Sequence, residues 1–103
     1  MRFMFKVNIP VQTGNEAAKA GKLPTIIKSI LADLKPEAAY FTDDNGMRTG
    51  FLIIDMKDAS QIPAIAEPWM QAFNAAIHFH PVMLPEDLAK AEKSIESAVK
   101  KYS

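Results

Sequence analysis

The stretch that most constrains this chain is Phe51-Leu52-Ile53-Ile54, four apolar residues that follow closely on Asp43-Asp44-Asn45-Gly46. Asn-Gly between two apolar runs is a strong two-residue hairpin signature, because both residues tolerate the positive φ that a type I′ turn demands. The turn predicts a short strand over Ala38–Thr42 and a returning strand over Arg48–Met56. Side chains alternate between the two faces of a strand, so an unbroken apolar run is apolar on both faces and must be covered on both. The chain is therefore expected to build a sheet with a layer against each side.

The remaining segments supply the other strands and one such layer. Phe3, Phe5, Val7 and Ile9 alternate with Met4, Lys6 and Asn8, which is strand periodicity, and Pro10 ends the ladder because it has no N–H to donate. Thr13-Gly14-Asn15-Glu16 has capping-box spacing. Leu23, Ile26, Ile27, Ile30, Leu31 and Leu34 then form one helical stripe, with a break expected at Pro24 and a stop at Lys35-Pro36. Asp58-Ala59-Ser60 opens a second helix with Ile62, Ile65, Ala66, Trp69 and Phe73 on one face. Ile77–Leu84 reads as a fourth strand. Pro85-Glu86-Asp87 starts a third helix, proline and acids in its first turn, with an apolar stripe of Leu88, Ala91, Ile95, Val99 and Tyr102.

Strand, helix, hairpin, helix, strand, joined by right-handed crossovers, gives an α+β ferredoxin-like βαββαβ sandwich. Its four-stranded antiparallel sheet has the order 4-1-3-2, with an extra C-terminal helix. A length of 103 residues fits one such domain, residues 1–103. Two helices cover one face. By alternation the other, open face is expected to carry Met4, Lys6, Asn8, Tyr40, Leu52, Ile54, Met56, His78, His80 and Val82. So much apolar surface is seldom left in water. Either the terminal helix folds beneath the sheet or a second copy covers it, and the polar character of that helix favours a homodimer through the open face, with the helix packed at the edge or on the partner.

Composition excludes several classes. Lys plus Arg and Asp plus Glu each number 12, for a formal charge of zero, and the basic residues are scattered, so neither nucleic acid nor an anionic membrane is an expected partner. There is no cysteine, hence no disulfide, thiolate metal site or cysteine nucleophile. The start of the chain, with a charge at Lys6 and no long apolar run, is unlike a signal peptide or anchor, and a cytoplasmic location is expected. Four glycines include no phosphate-binding loop, no serine has a nucleophile-elbow context, and no cofactor motif is present.

Strand start Met1-Arg2-Phe3-Met4, the helical Glu67-Pro68-Trp69 and Phe79-His80-Pro81-Val82 before a helix resemble the dimeric α+β barrel superfamily, closest to its small bacterial domains of unassigned function. The resemblance covers nearly the whole chain and is one of layout. The superfamily includes cofactor-independent monooxygenases, muconolactone isomerases and haem-handling proteins. Its enzymes hold their sites between sheet and helices or within the barrel of the dimer. The resemblance thus implies a homodimer that binds or converts a small organic molecule in a cavity. A non-catalytic dimeric interaction module is the alternative.

His78 and His80, the only histidines, lie two apart on one strand and therefore share a face, the open one. They are the candidate catalytic acid–base pair; a structural role at an interface explains them equally. Two imidazoles at this spacing can also share a metal, but a third ligand is wanted. Strand parity places no carboxylate on the open face and puts Asp55 on the helix side, so no metal site is expected. Lys6, Asn8, Tyr40 and Arg48 are the candidate ligand-binding residues. They suit a small apolar molecule with an anionic or carbonyl handle, while the lysine and arginine can also simply extend to solvent. Trp69 and Phe73 read as core, and Asp43-Asp44-Asn45 as a solvated turn.

Overall fold

The computed structural model describes residues 1–103. Strand β1 (Arg2–Ile9) is followed by α1 (Val11–Lys19), α2 (Leu23–Leu34), β2 (Ala38–Asp44), β3 (Met47–Asp55), α3 (Ile62–Phe73), β4 (Ala76–Pro81), α4 (Pro85–Lys90) and α5 (Glu92–Tyr102). All strand pairs are antiparallel and their order is β2-β3-β1-β4, the expected 4-1-3-2 counted from the other edge. The architecture is a ferredoxin-like α+β sandwich.

Chain chemistry explains where the elements stop. Asn45 and Gly46 both have positive φ, 53° and 79°, so the hairpin has the primed turn that their side chains permit. Helices α2 and α3 end on left-handed residues, Lys35 and Asn74, whose N–H groups bond back to Leu31 and Met70. Asp58 accepts from the Ser60 N–H at 2.8 Å while Gln61 accepts from the Asp58 N–H at 3.0 Å, a reciprocal cap that leads through one 3-10 turn into α3. The Thr13–Glu16 capping box does not form. The chain turns helical directly after Pro10, which leaves Thr13 inside the first turn, and its hydroxyl instead donates to the Phe73 carbonyl and ties α1 to the end of α3.

The core lies between the sheet and helices α2 and α3. Phe5, Val7 and Ile9 from β1 meet Ile30 from α2 and Ile65, Trp69 and Phe73 from α3. Phe79 on β4 stacks on Phe5 with ring centroids 5.6 Å apart, which closes that edge of the layer.

One strand faces the opposite way from its sequence-based reading. Leu52 stands opposite Phe5, Ile54 opposite Phe3 and Gly50 opposite Val7. Leu52, Ile54 and Met56 are therefore buried in the helix-side core, not on the open face. Phe51, Ile53 and Asp55 take the open face, opposite Lys6, Met4 and Arg2. A run that is apolar on both sides has no alternation to reveal which side is which, so the neighbouring strands decide.

The chain beyond β4 is a further departure. It forms two short helices joined at Ala91 where one was expected, and no residue of either is buried. Ala91 still donates to Asp87 and accepts from Ile95, so α4 and α5 run on almost as one rod that leaves the body and extends the molecule to 58 × 28 × 20 Å. This rod does not fold beneath its own sheet.

The register generates a prediction. Leu52, with no exposed surface, is the β3 side chain on which the core closes. Leu52→Ala should lower the unfolding free energy in urea by about 3 kcal/mol; a loss below about 1 kcal/mol would place Leu52 on the open face after all.

Candidate functional site

The open face is built from alternate residues of all four strands. Pairing puts His78 directly opposite Lys6, His80 opposite Met4, and Ala76 opposite Asn8. On the other side of β1, Lys6 faces Phe51, which faces Tyr40, and Asn8 faces Thr49. Four of the expected side chains on this face, Lys6, Asn8, His78 and Tyr40, are thus gathered over about two rungs of the ladder. His80 lies one rung further along the same face. Both histidines are exposed, and Tyr40 stands on the free edge strand with 68% of its surface in solvent.

Beneath them is a hydrogen-bonded floor. The Asn8 amide donates to Thr49 Oγ1 at 2.9 Å and to Asp44 Oδ2 at 3.1 Å, and Thr49 donates to the Met47 carbonyl at 3.1 Å. Lys6 Nζ lies 2.6 Å from the same Asp44 oxygen. Asn8 and Thr49 are 6% and 2% exposed, so their orientation is held by desolvated bonds, whereas Lys6 and Asp44 stay half-open to solvent. The Lys6 ammonium and then the Asn8 amide hold the Asp44 carboxyl below the usual carboxylate range, with a smaller contribution from His78.

Asp44 is the site residue that the sequence reading missed, and Asp55 also corrects it: both acids lie on the open face. Two signals pointed to Asp44. A two-residue Asn45-Gly46 loop makes residues 44 and 47 the last ladder pair, so β2 extends past Thr42, and Asp44 then has the parity of Tyr40. Arg48, in contrast, is not part of this face. It stands opposite Ile9 on the helix side, donates to Asn15 Oδ1 at 3.0 Å and lies over Gly14, where a Cβ would come within 2.8 Å of its Nη1. Its assignment followed from the inverted parity of β3. No three His, Asp or Glu side chains converge as a metal site. The clefts of the single chain lie elsewhere, at the root of α4 and along the helix side near Ile9 and Arg48, and none is lined by Lys6, Tyr40 or either histidine.

Residues 1–96 match the family described as Domain of unknown function (DUF3303). The chain belongs to DUF3303. Comparison with curated proteins finds no match. Among solved structures, the DUF3303 chain is similar to 5-chloro-2-hydroxyhydroquinone dehydrochlorinase (TftG) from Burkholderia phenoliruptrix AC1100, determined with 2,5-dihydroxybenzoquinone. The TM-score is 0.62 and the identity 17%, over 84% of this chain and 97% of that one. A weaker likeness links DUF3303 to a formyltetrahydrofolate deformylase from Pseudomonas putida KT2440, with a TM-score of 0.49 and 14% identity over 80% of this chain and 29% of that one. At 17% identity the likeness to TftG is one of fold, the ferredoxin-like α+β sandwich described above. No helix of the chain is long and apolar enough to cross a membrane.

The depressed Asp44 carboxyl sets a pH dependence. Its folded-state pKa lies below the unfolded one, so its contribution to stability is complete above the ordinary carboxylate range and disappears as pH falls through the folded value. The urea midpoint of Asp44→Asn should fall short of the parent's at pH 7, and the gap should begin to narrow near about pH 4 and close at lower pH. A gap independent of pH from 7 to 3 would show that the ion pair with Lys6 is not formed.

Proposed function

We propose that this chain is a cytoplasmic, single-domain homodimer that binds, and converts, a small organic molecule over the open sheet face. The observation that carries this reading is the Lys6–Asp44–Asn8–Thr49 network, held in fixed geometry on a face otherwise lined by Met4, Phe51, Ile53 and Tyr40. A few oriented polar groups set among apolar and aromatic side chains is the composition of a small-molecule site. One subunit leaves this face open, so a second copy supplies the roof.

On this reading each side chain has a role. Asp44 fixes the Lys6 ammonium, whose remaining hydrogens face a ligand oxyanion or carbonyl, and Tyr40 offers a ring edge and a hydroxyl. His78, across the ladder from Lys6, takes or returns a proton, with His80 beside it. A base next to a cation that stabilises a developing oxyanion suits proton transfer on an activated ring. The superfamily resemblance points the same way, to isomerisation or cofactor-independent oxygenation. TftG, captured with a dihydroxybenzoquinone, makes small quinonoid compounds a natural first ligand class to try.

A second reading, a non-catalytic dimeric module, is favoured by one observation: no cleft of the single chain lies over Lys6 and His78. Partner side chains would then fill the face completely.

Native mass spectrometry and titration with 2,5-dihydroxybenzoquinone and simple hydroxybenzoates separate the two. The protein should run as a dimer and bind at least one probe, and Lys6→Ala together with His78→Ala and His80→Ala should weaken binding at least tenfold. Undiminished binding in the triple variant would remove the open face as the site. A dimer that binds none of the probes and shows a filled interface would establish the second reading.

A further inference from the structure

The rod formed by α4 and α5 has no partner within its own chain. Leu88, Ile95, Val99 and Tyr102 are all more than half exposed, yet with Ala91 and Ala98 they occupy one arc of about 100° on the helix, at the spacing of a buried stripe. Glu92, Glu96, Lys93 and Lys100 occupy the remainder. A helical segment of this length is marginal in water unless tertiary packing covers its apolar face. Its own body does not bury it, since no residue of either helix is buried.

Shape and area measure what is missing. The radius of gyration is 17.3 Å, against about 13 Å for a compact chain of this length. The accessible surface of 7113 Å² exceeds the roughly 5,800 Å² of a compact monomer of this mass by about 1,300 Å². A stable protein interface buries about 800 Å² per partner. The surplus on each chain is thus of the size that reciprocal docking of two copies would remove.

We infer that the α4–α5 arm of one copy lies across the open sheet face of a second copy, its apolar stripe against Tyr40, Phe51 and Ile53, and so forms the roof of the partner's site. This inference rests on the homodimer reading above and names the part of the second copy that does the covering. The dimensions agree: the arm is about 27 Å long at 1.5 Å per residue, and the eight residues of β1 span about 27 Å as a strand. The charge on the arm agrees as well. Four acids (Glu86, Asp87, Glu92, Glu96) balance four lysines (Lys90, Lys93, Lys100, Lys101), whereas a helix made for an anionic lipid surface or for nucleic acid carries a cationic face. Both complementary surfaces, arm and open sheet, are present on every copy, which is what a two-fold exchange requires.

Two measurements on the full chain test the inference. Ile95→Glu combined with Val99→Glu changes side chains more than half exposed, on a helix with no buried residue, so the urea midpoint of the diluted protein should stay put while the dimer dissociation constant from sedimentation rises at least 100-fold. The chain has no cysteine, so Ser97→Cys, opposite the stripe, accepts a single spin label. Unlabelled-nitrogen copies carrying that label are mixed with 15N copies lacking it, and the amide signals of Tyr40, Phe51 and Ile53 in the 15N copies should broaden. A dimer that resists the double substitution, or broadening confined to residues 85–102, would overturn the docking while leaving the homodimer intact. A monomer under all conditions would overturn both.

Discussion

Everything on the two faces of this sheet follows from a loop of two residues. Because Asn45 and Gly46 both take positive φ, the hairpin closes with Asp44 opposite Met47, and each pair along β2 and β3 is then determined, including Tyr40 opposite Phe51 and Thr42 opposite Thr49. A connection one residue longer would slide β3 by one position and exchange its faces, taking Leu52 out of the core and bringing Phe51 in. The core against α3, the hydrogen-bonded floor around Thr49 and the position of Asp44 all depend on that register.

The floor has a simple physical logic. Asn8 and Thr49 are polar residues on neighbouring strands in an almost fully buried setting, and each satisfies the other. Having lost their freedom to bond elsewhere, they present Asp44 and Lys6 at fixed positions above. The charged pair itself is half in water, where its stabilising contribution is small. Its main effect is to fix where the Lys6 ammonium lies relative to His78, its partner across the ladder.

Much of this was legible in the sequence, for identifiable reasons. β1 alternates without exception, so Lys6 and Asn8 could be assigned to one face and Phe5 and Val7 to the other. His78 and His80 followed from Ile77 and Phe79 in the same way, and the element order led to the strand order. β3 could not be read by itself, since Phe51 through Ile54 are apolar on both sides, and Arg48, Asp55, Leu52, Ile54 and Met56 were all assigned to the wrong side together. Asp44 was hidden by ending β2 two residues early, although the Asn45-Gly46 loop implied otherwise. The projecting arm was unreadable for a different reason: amphipathic spacing shows that a helix needs a partner surface but not which molecule supplies it.

Alternation along β1 and β4 has a consequence for how such a protein can change over generations. Adjacent residues such as Lys6 and Val7, or Ile77 and His78, share a backbone ladder but contribute side chains to opposite compartments, one holding the fold and the other meeting the outside. Replacements at the even-numbered positions of these strands can accumulate without opening a cavity among Phe5, Trp69 and Phe73. The side chains of the open face are in this sense only loosely tied to the scaffold, and relatives with the same packing can present quite different surfaces there.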